Sequence, residues 1–186
     1  MNELKLSLEE LRNKIVLKNN WNNIKTTNCY AFALGLDINE NDIINTKIAH
    51  AYNLGEFGKF KYNLNEADLD VLTFEERLFI DLDSLNINYE KVNDKELSLC
   101  NIDNDGCLTW MISLYEAIAL YGRDFHFLRK NSDGYWIHKR GLYGNISFFD
   151  DDMKRINDLN NLYLLPFNND VNYEQVGVYK LKLKYK

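Results

Sequence analysis

The stretch from Asp124 to Lys139 constrains the fold more than any other. Asp124-Phe125-His126-Phe127-Leu128-Arg129-Lys130 is rich in strand formers. Asn131-Ser132-Asp133-Gly134 follows as a turn signal, and Tyr135-Trp136-Ile137-His138-Lys139 reads as the returning strand. The expectation is a short antiparallel hairpin with one histidine on each arm. An antiparallel pair with aromatic residues on both arms calls for a sheet with a buried face. Leu108 to Leu120 precedes the hairpin. Trp110, Ile112, Leu114 and Ile118 alternate there as in a strand, although Glu116-Ala117-Ile118-Ala119 also has helical character. The strand reading is taken, turning through Tyr121-Gly122-Arg123 into the His126 strand. Val176 to Tyr185 is expected to close the sheet, with its alternating lysines on a solvated face.

A second stretch carries a nucleophile candidate. Thr27-Asn28-Cys29-Tyr30-Ala31-Phe32-Ala33-Leu34-Gly35 reads as a short apolar helix. Asn28 suits the N-cap and Gly35 the stop. A thiol in the first turn lies near the positive end of the helix dipole, which favours thiolate. A lone cysteine is more often a buried packing residue, so the rest of the chain has to supply a base. His126 and His138 are the candidates. A nucleophile, a base and a group that orients the base make up the general apparatus of nucleophilic acyl transfer.

A cysteine at a helix start, a later strand histidine and a polar residue on the next strand resemble the order found in papain-like cysteine peptidases. The chain is most similar to their compact bacterial and phage branch, the NlpC-like peptidases, in which the third residue is often a second histidine about a dozen positions on. The resemblance is carried by "NCYAFALG" and by "DFHFLRK…DGYWIHKRG", where 12 residues separate His126 from His138. It implies an α+β papain-like core, with the nucleophile helix packed on a curled antiparallel sheet. It also implies an amide-bond hydrolase, with Cys29 as nucleophile, His126 as base and His138 as orienting residue. In such enzymes a side-chain amide shortly before the cysteine contributes to the oxyanion hole. Asn23 is the candidate, with Asn22 nearly as well placed, Asn28 in support and the Cys29 amide as second donor. Tyr30 and Trp136 are expected to line a substrate groove. Asp133, Asn145 and Asp150 are fallback orienting groups. Cell-wall NlpC-like enzymes carry Asp-Cys-Ser-Gly at the nucleophile, whereas this chain has Asn28-Cys29-Tyr30-Ala31. That difference separates the thiol chemistry from any expectation of a peptidoglycan substrate.

The 186 residues suit one domain, 1–186. Within it are expected an N-terminal helix in 1–20, the nucleophile segment at 21–36, a helix over 65–86 broken near Thr73, and the sheet over 107–186. Ser7 and Glu10 have the spacing of a capping box. Residues 37 to 63 read as a turn-rich loop holding His50, most simply a surface residue. Ile87 to Val92 and Asn145 to Phe149 read as short strands, and Asn157 to Asn172 as an irregular loop. A formal charge of −6 argues against nucleic acid as a partner. No run reaches membrane-spanning length. A charged start without a signal peptide, and three cysteines, an odd number, point to a cytoplasmic, reducing location. Cys100 and Cys107 flank an acidic turn, and both read as packing residues. That turn lacks the closing carboxylate of a calcium loop, since Leu114 occupies its twelfth position. No metal or other cofactor is expected, and the expected partner is a peptide or protein substrate. Two other functions fit the same residues. One is a binding or inhibitory protein that keeps the fold without turnover, for example a phage factor directed against host defence. The other is a deamidase or acyltransferase on the same triad.

Overall fold

The computed structural model describes residues 6–17, 27–38, 52–93, 101–102, 106–119, 122–141, 144–166 and 171–184. The chain is a mixture of helices and antiparallel sheet, α+β in class. It divides into two compact units. One comprises Met1–Asn88 with Lys139–Asn145, and the other Tyr89–His138 with Ile146–Lys186.

The first unit is helical: α1 (Leu8–Asn13), α2 (Cys29–Leu34), α3 (Glu56–Tyr62), α4 (Glu66–Asp70) and α5 (Phe74–Ser84). Its helices start where side chains satisfy orphan amides. Ser7 with Glu10, Asn65 with Asp68, and Thr73 with Glu76 each form a reciprocal capping box. The Thr73 cap divides the expected 65–86 helix into α4 and α5. Every residue of α2 is buried. Its C-cap Gly35 adopts φ 79°, a left-handed conformation that costs glycine little. The chain around Leu36 then runs beside the end of α1. Val16 N–H donates to the Gly35 carbonyl at 2.7 Å, and Asp37 N–H to that of Lys14 at 2.9 Å. The turn-rich reading of residues 37–63 is corrected at its end, where α3 forms. Gly58 lets α3 approach α5, since a Cβ there would lie 2.4 Å from Ile80 Cγ1. Phe57, Leu78 and Leu82 are wholly buried in this unit, each contributing about 1.5–3 kcal/mol by burial.

The second unit is built on the sheet: β1 (Asn88–Val92), β2 (Asn101–Ile102), β3 (Cys107–Ala119), β4 (Gly122–Lys130), β5 (Trp136–Lys139), β6 (Ile146–Ser147) and β7 (Glu174–Lys184). Strand order is β1-β7-β3-β4-β5-β6, with β2 beside β3. The long central strand β3 pairs antiparallel with both β4 and β7. The strand reading of 108–120 therefore holds over its described part, to Ala119. β3 is buried on both faces along most of its length, which explains why its sequence alternates so weakly. The hairpin forms as read, with Leu128 opposite His138 and Lys130 opposite Trp136. Residues 156 to 166 lack regular structure, yet Ile156, Leu159 and Leu164 from this stretch join Tyr173 in covering Met111, Tyr115, Leu128 and Trp136.

Candidate active site

Cross-strand register brings the two histidines together. His138 lies opposite Leu128, two residues beyond His126 on the same face of the sheet. His126 Nε2 and His138 Nδ1 are 2.8 Å apart, and the rings meet edge to face at 82°. His138 Nε2 is 3.0 Å from the Phe149 carbonyl oxygen. A carbonyl only accepts, so His138 Nε2 carries the proton. The Nδ1 of that neutral ring then accepts, and His126 Nε2 donates to it. This order leaves the lone pair of His126 on Nδ1. It also survives protonation of His126, because the imidazolium still donates from Nε2 to the same acceptor. His126 is 6% exposed and His138 1%, so the relay sits in a low-dielectric setting where such bonds are strong.

Tyr173 packs beside His126. Its ring lies 5.6 Å from that of His126 at a tilt of 35°, and its hydroxyl donates to Asp124 Oδ2. Asp124 is two residues before His126 on β4 and shares its face. Tyr115 stands directly opposite His126 on β3, and its hydroxyl accepts from Gln175 Nε2 at 3.1 Å.

In the helical unit Cys29 is the first residue of α2. Asn28 is its N-cap, accepting the Ala31 amide at 2.8 Å. Cys29 is 5% exposed and is not part of a disulfide. The same unit contains Lys139, a residue that sequence reading passed over. It is fully buried, and its Nζ donates to the Gly141 carbonyl at 2.7 Å. Burial pulls the Lys139 ammonium down to about 8, and the negative charge of Cys29 pushes it back up. A cation that interacts electrostatically with a thiol favours the thiolate.

Three of the expected site residues take other roles. Tyr30 does not line a groove. It is fully buried, and its hydroxyl donates to Asp81 Oδ2 at 2.6 Å. Burial, reinforced by Asp81, raises that phenol well above its ordinary range. Trp136 is likewise buried, packed in the apolar cluster on the histidine face rather than exposed to a substrate. Asn28 is committed to its own helix and to a neighbouring segment, its Nδ2 donating to the Tyr52 carbonyl at 3.3 Å. Asn23 and Asn22, like His50 and Cys100, lie outside the described residues. Of the fallback orienting groups, Asp150 is buried and accepts the Lys154 amide at 2.8 Å, while Asp133 and Asn145 are exposed.

Lys139, Asp81 and Tyr173 were missed for a common reason. A lysine ending a strand, an aspartate on an acidic helix and a tyrosine in a polar loop all read as solvated residues. A faint signal exists only for Asp81, which falls in step with Phe74 and Leu78 on the apolar stripe of α5.

No family model, no curated protein and no solved structure matches the chain. Among the described residues, no helix is long and apolar enough to cross a membrane.

Proposed function

We propose that the chain is a papain-like cysteine hydrolase that cleaves an amide bond, peptide or isopeptide, in a peptide or protein substrate. Cys29 attacks the carbonyl carbon. His126 takes the thiol proton at Nδ1 and returns it to the leaving nitrogen, after which water releases the acyl group. His138 holds the imidazole in the required tautomer. The observation that carries this reading is the hydrogen-bond order Phe149 carbonyl, His138, His126, which leaves a basic nitrogen on a ring that can gain and lose a proton without rearrangement. The placement of Cys29 as the first residue of a capped helix supports it. The net charge of −6 supports a peptide rather than a nucleic-acid substrate. A reducing, cytoplasmic setting suits the thiol chemistry.

The test is the pH profile of Cys29 alkylation by iodoacetamide in the wild type, His126→Ala and His138→Ala proteins. The expected result is that Cys29 reacts at neutral pH well ahead of Cys107, which is equally buried at 5%. Loss of His126 should move the reactive thiolate to higher pH. If His126→Ala leaves the profile unchanged, base and nucleophile do not act together and the proposal fails.

A further inference from the structure

The two neighbours of Cys29 in the chain are fastened to one and the same segment. On its N-terminal side, Asn28 donates from Nδ2 to the Tyr52 carbonyl and, at 3.5 Å, to Asn53 Oδ1. On its C-terminal side, Tyr30 donates to Asp81 Oδ2, which also accepts the Gly55 amide at 2.6 Å. The other carboxylate oxygen, Oδ1, accepts the Gly58 amide at 2.7 Å. Residues 52 to 58 thus hold both flanks of the thiol, one directly and one through Asp81.

Asp81 has a second task in the same place. Gly55 is the N-cap of α3 and brings no capping side chain. The first amides of that helix would be orphans. Asp81, on α5, accepts the amide of Gly58, the third residue of α3, and so caps that helix from outside. A carboxylate suits this position, because three donors converge on it and the N-terminus of α3 favours negative charge.

We infer that Asp81 is a positioning residue for Cys29, whose ionised carboxylate ties Tyr30, Gly55 and Gly58 together and so fixes the turn that carries the thiol. The inference rests on the reading of Cys29 as nucleophile. Protonation weakens these bonds but relieves the cost of burying the charge. A neutral carboxyl accepts less strongly and brings a donor into a cluster already made of donors. The balance is fine. Burial drives the Asp81 carboxyl up to about 7, while the bonds from Tyr30, Gly58 and Gly55 oppose that rise and the nearby Glu56 adds to it. Glu56, itself raised by burial, accepts the Asn53 amide at 2.8 Å. Lys59 is paired with Glu66. On the helix of Asp81, Arg77 is engaged with Asp70 at 3.5 Å.

The experiment follows Cys29 alkylation by iodoacetamide from acid to alkaline pH in the full chain, alongside amide hydrogen exchange at Gly55 and Gly58. In the wild type, exchange protection of both amides should fall as pH rises towards neutrality, because an opened cluster frees Asp81 to ionise in its ordinary range while the closed one holds its proton up to about 7, and the alkylation rate should change over the same range beyond thiol ionisation itself. Asp81→Asn should abolish both steps and lower the limiting alkylation rate on the order of tenfold or more, in keeping with the cost of misplacing a reacting group. Tyr30→Phe removes one donor that favours the ionised carboxyl, so its steps should persist at higher pH. It keeps the test usable if Asp81→Asn does not fold. Wild-type alkylation kinetics in Asp81→Asn, or unshifted steps in Tyr30→Phe, would overturn the inference. Failure of the hydrolase reading looks different. Cys29 would then alkylate no faster than Cys107, while the exchange steps at Gly55 and Gly58 would still report on Asp81.

Discussion

His138 carries the sharpest prediction at the scale of single residues, because its geometry assigns it an accepting role toward His126. Asparagine at 138 still offers an oxygen acceptor, whereas alanine offers none. His138→Asn should therefore keep partial kcat/KM on an amide substrate, His138→Ala should lose at least a further tenfold, and His126→Ala should lose turnover altogether. If these residues act as one triad, as proposed, the double variant His126→Ala/His138→Ala should be no worse than His126→Ala alone. Lys139 supplies a second residue-scale prediction. Its ammonium is buried and feels the charge of Cys29. Replacing it with methionine keeps much of the stem but removes the cation, so the apparent thiol pKa of Cys29 should rise. Lys139→Arg, if accommodated, should leave it low. Ultraviolet absorbance of the thiolate during a pH titration reads both directly. An unchanged titration in Lys139→Met would mean that the lysine does not set the ionisation of Cys29.

Local rules governed how much was legible among the secondary elements. The Asn28 cap, the Thr73 break and the hairpin around Asn131 to Gly134 are short-range features whose residues act on their own backbone. They were readable without tertiary knowledge. The helix α3 was not, because its N-cap is a glycine and its capping group is Asp81, 26 residues beyond Gly55. In the candidate site the pairing of His126 with His138 was legible from the hairpin, and the helix start at Cys29 from its Asn28 cap. The burial of Tyr30 and Trp136 was not, since an aromatic residue next to a reactive group looks the same in a sequence whether it faces a groove or a core. The prediction proper to this scale follows from the caps. Thr73 joins the end of α4 to the start of α5 and makes a complete capping box with Glu76. Thr73→Ala should cost about 1 kcal/mol, and Thr73→Ser much less, by urea unfolding. Gly58→Val should cost considerably more, because its side chain has to displace Ile80.

For the whole molecule, two buried titratable groups shape stability in opposite senses. The Asp81 carboxyl is raised from 3.8 to about 7 by burial. Between those values the folded chain holds a proton that the unfolded chain has released. Its contribution therefore falls as pH rises through that window. Lys139 is lowered from 10.5 to about 8, again chiefly by burial. Between those values the unfolded chain holds the extra proton, so this contribution rises with pH. Together the two groups carve a trough in stability between about 7 and 8, where both are charged inside the fold. The trough falls where an ionised Asp81 accepts from Tyr30, Gly55 and Gly58, so those bonds offset only part of the cost of burying its charge. Thermal melts across pH 4 to 10.5 should show it as a shallow minimum in Tm. Asp81→Asn should flatten the acid limb while leaving the alkaline one, and Lys139→Met should do the reverse. If both variants retain the wild-type curve, these groups do not set the pH dependence, and burial of their charge is offset by contacts made in the unfolded chain.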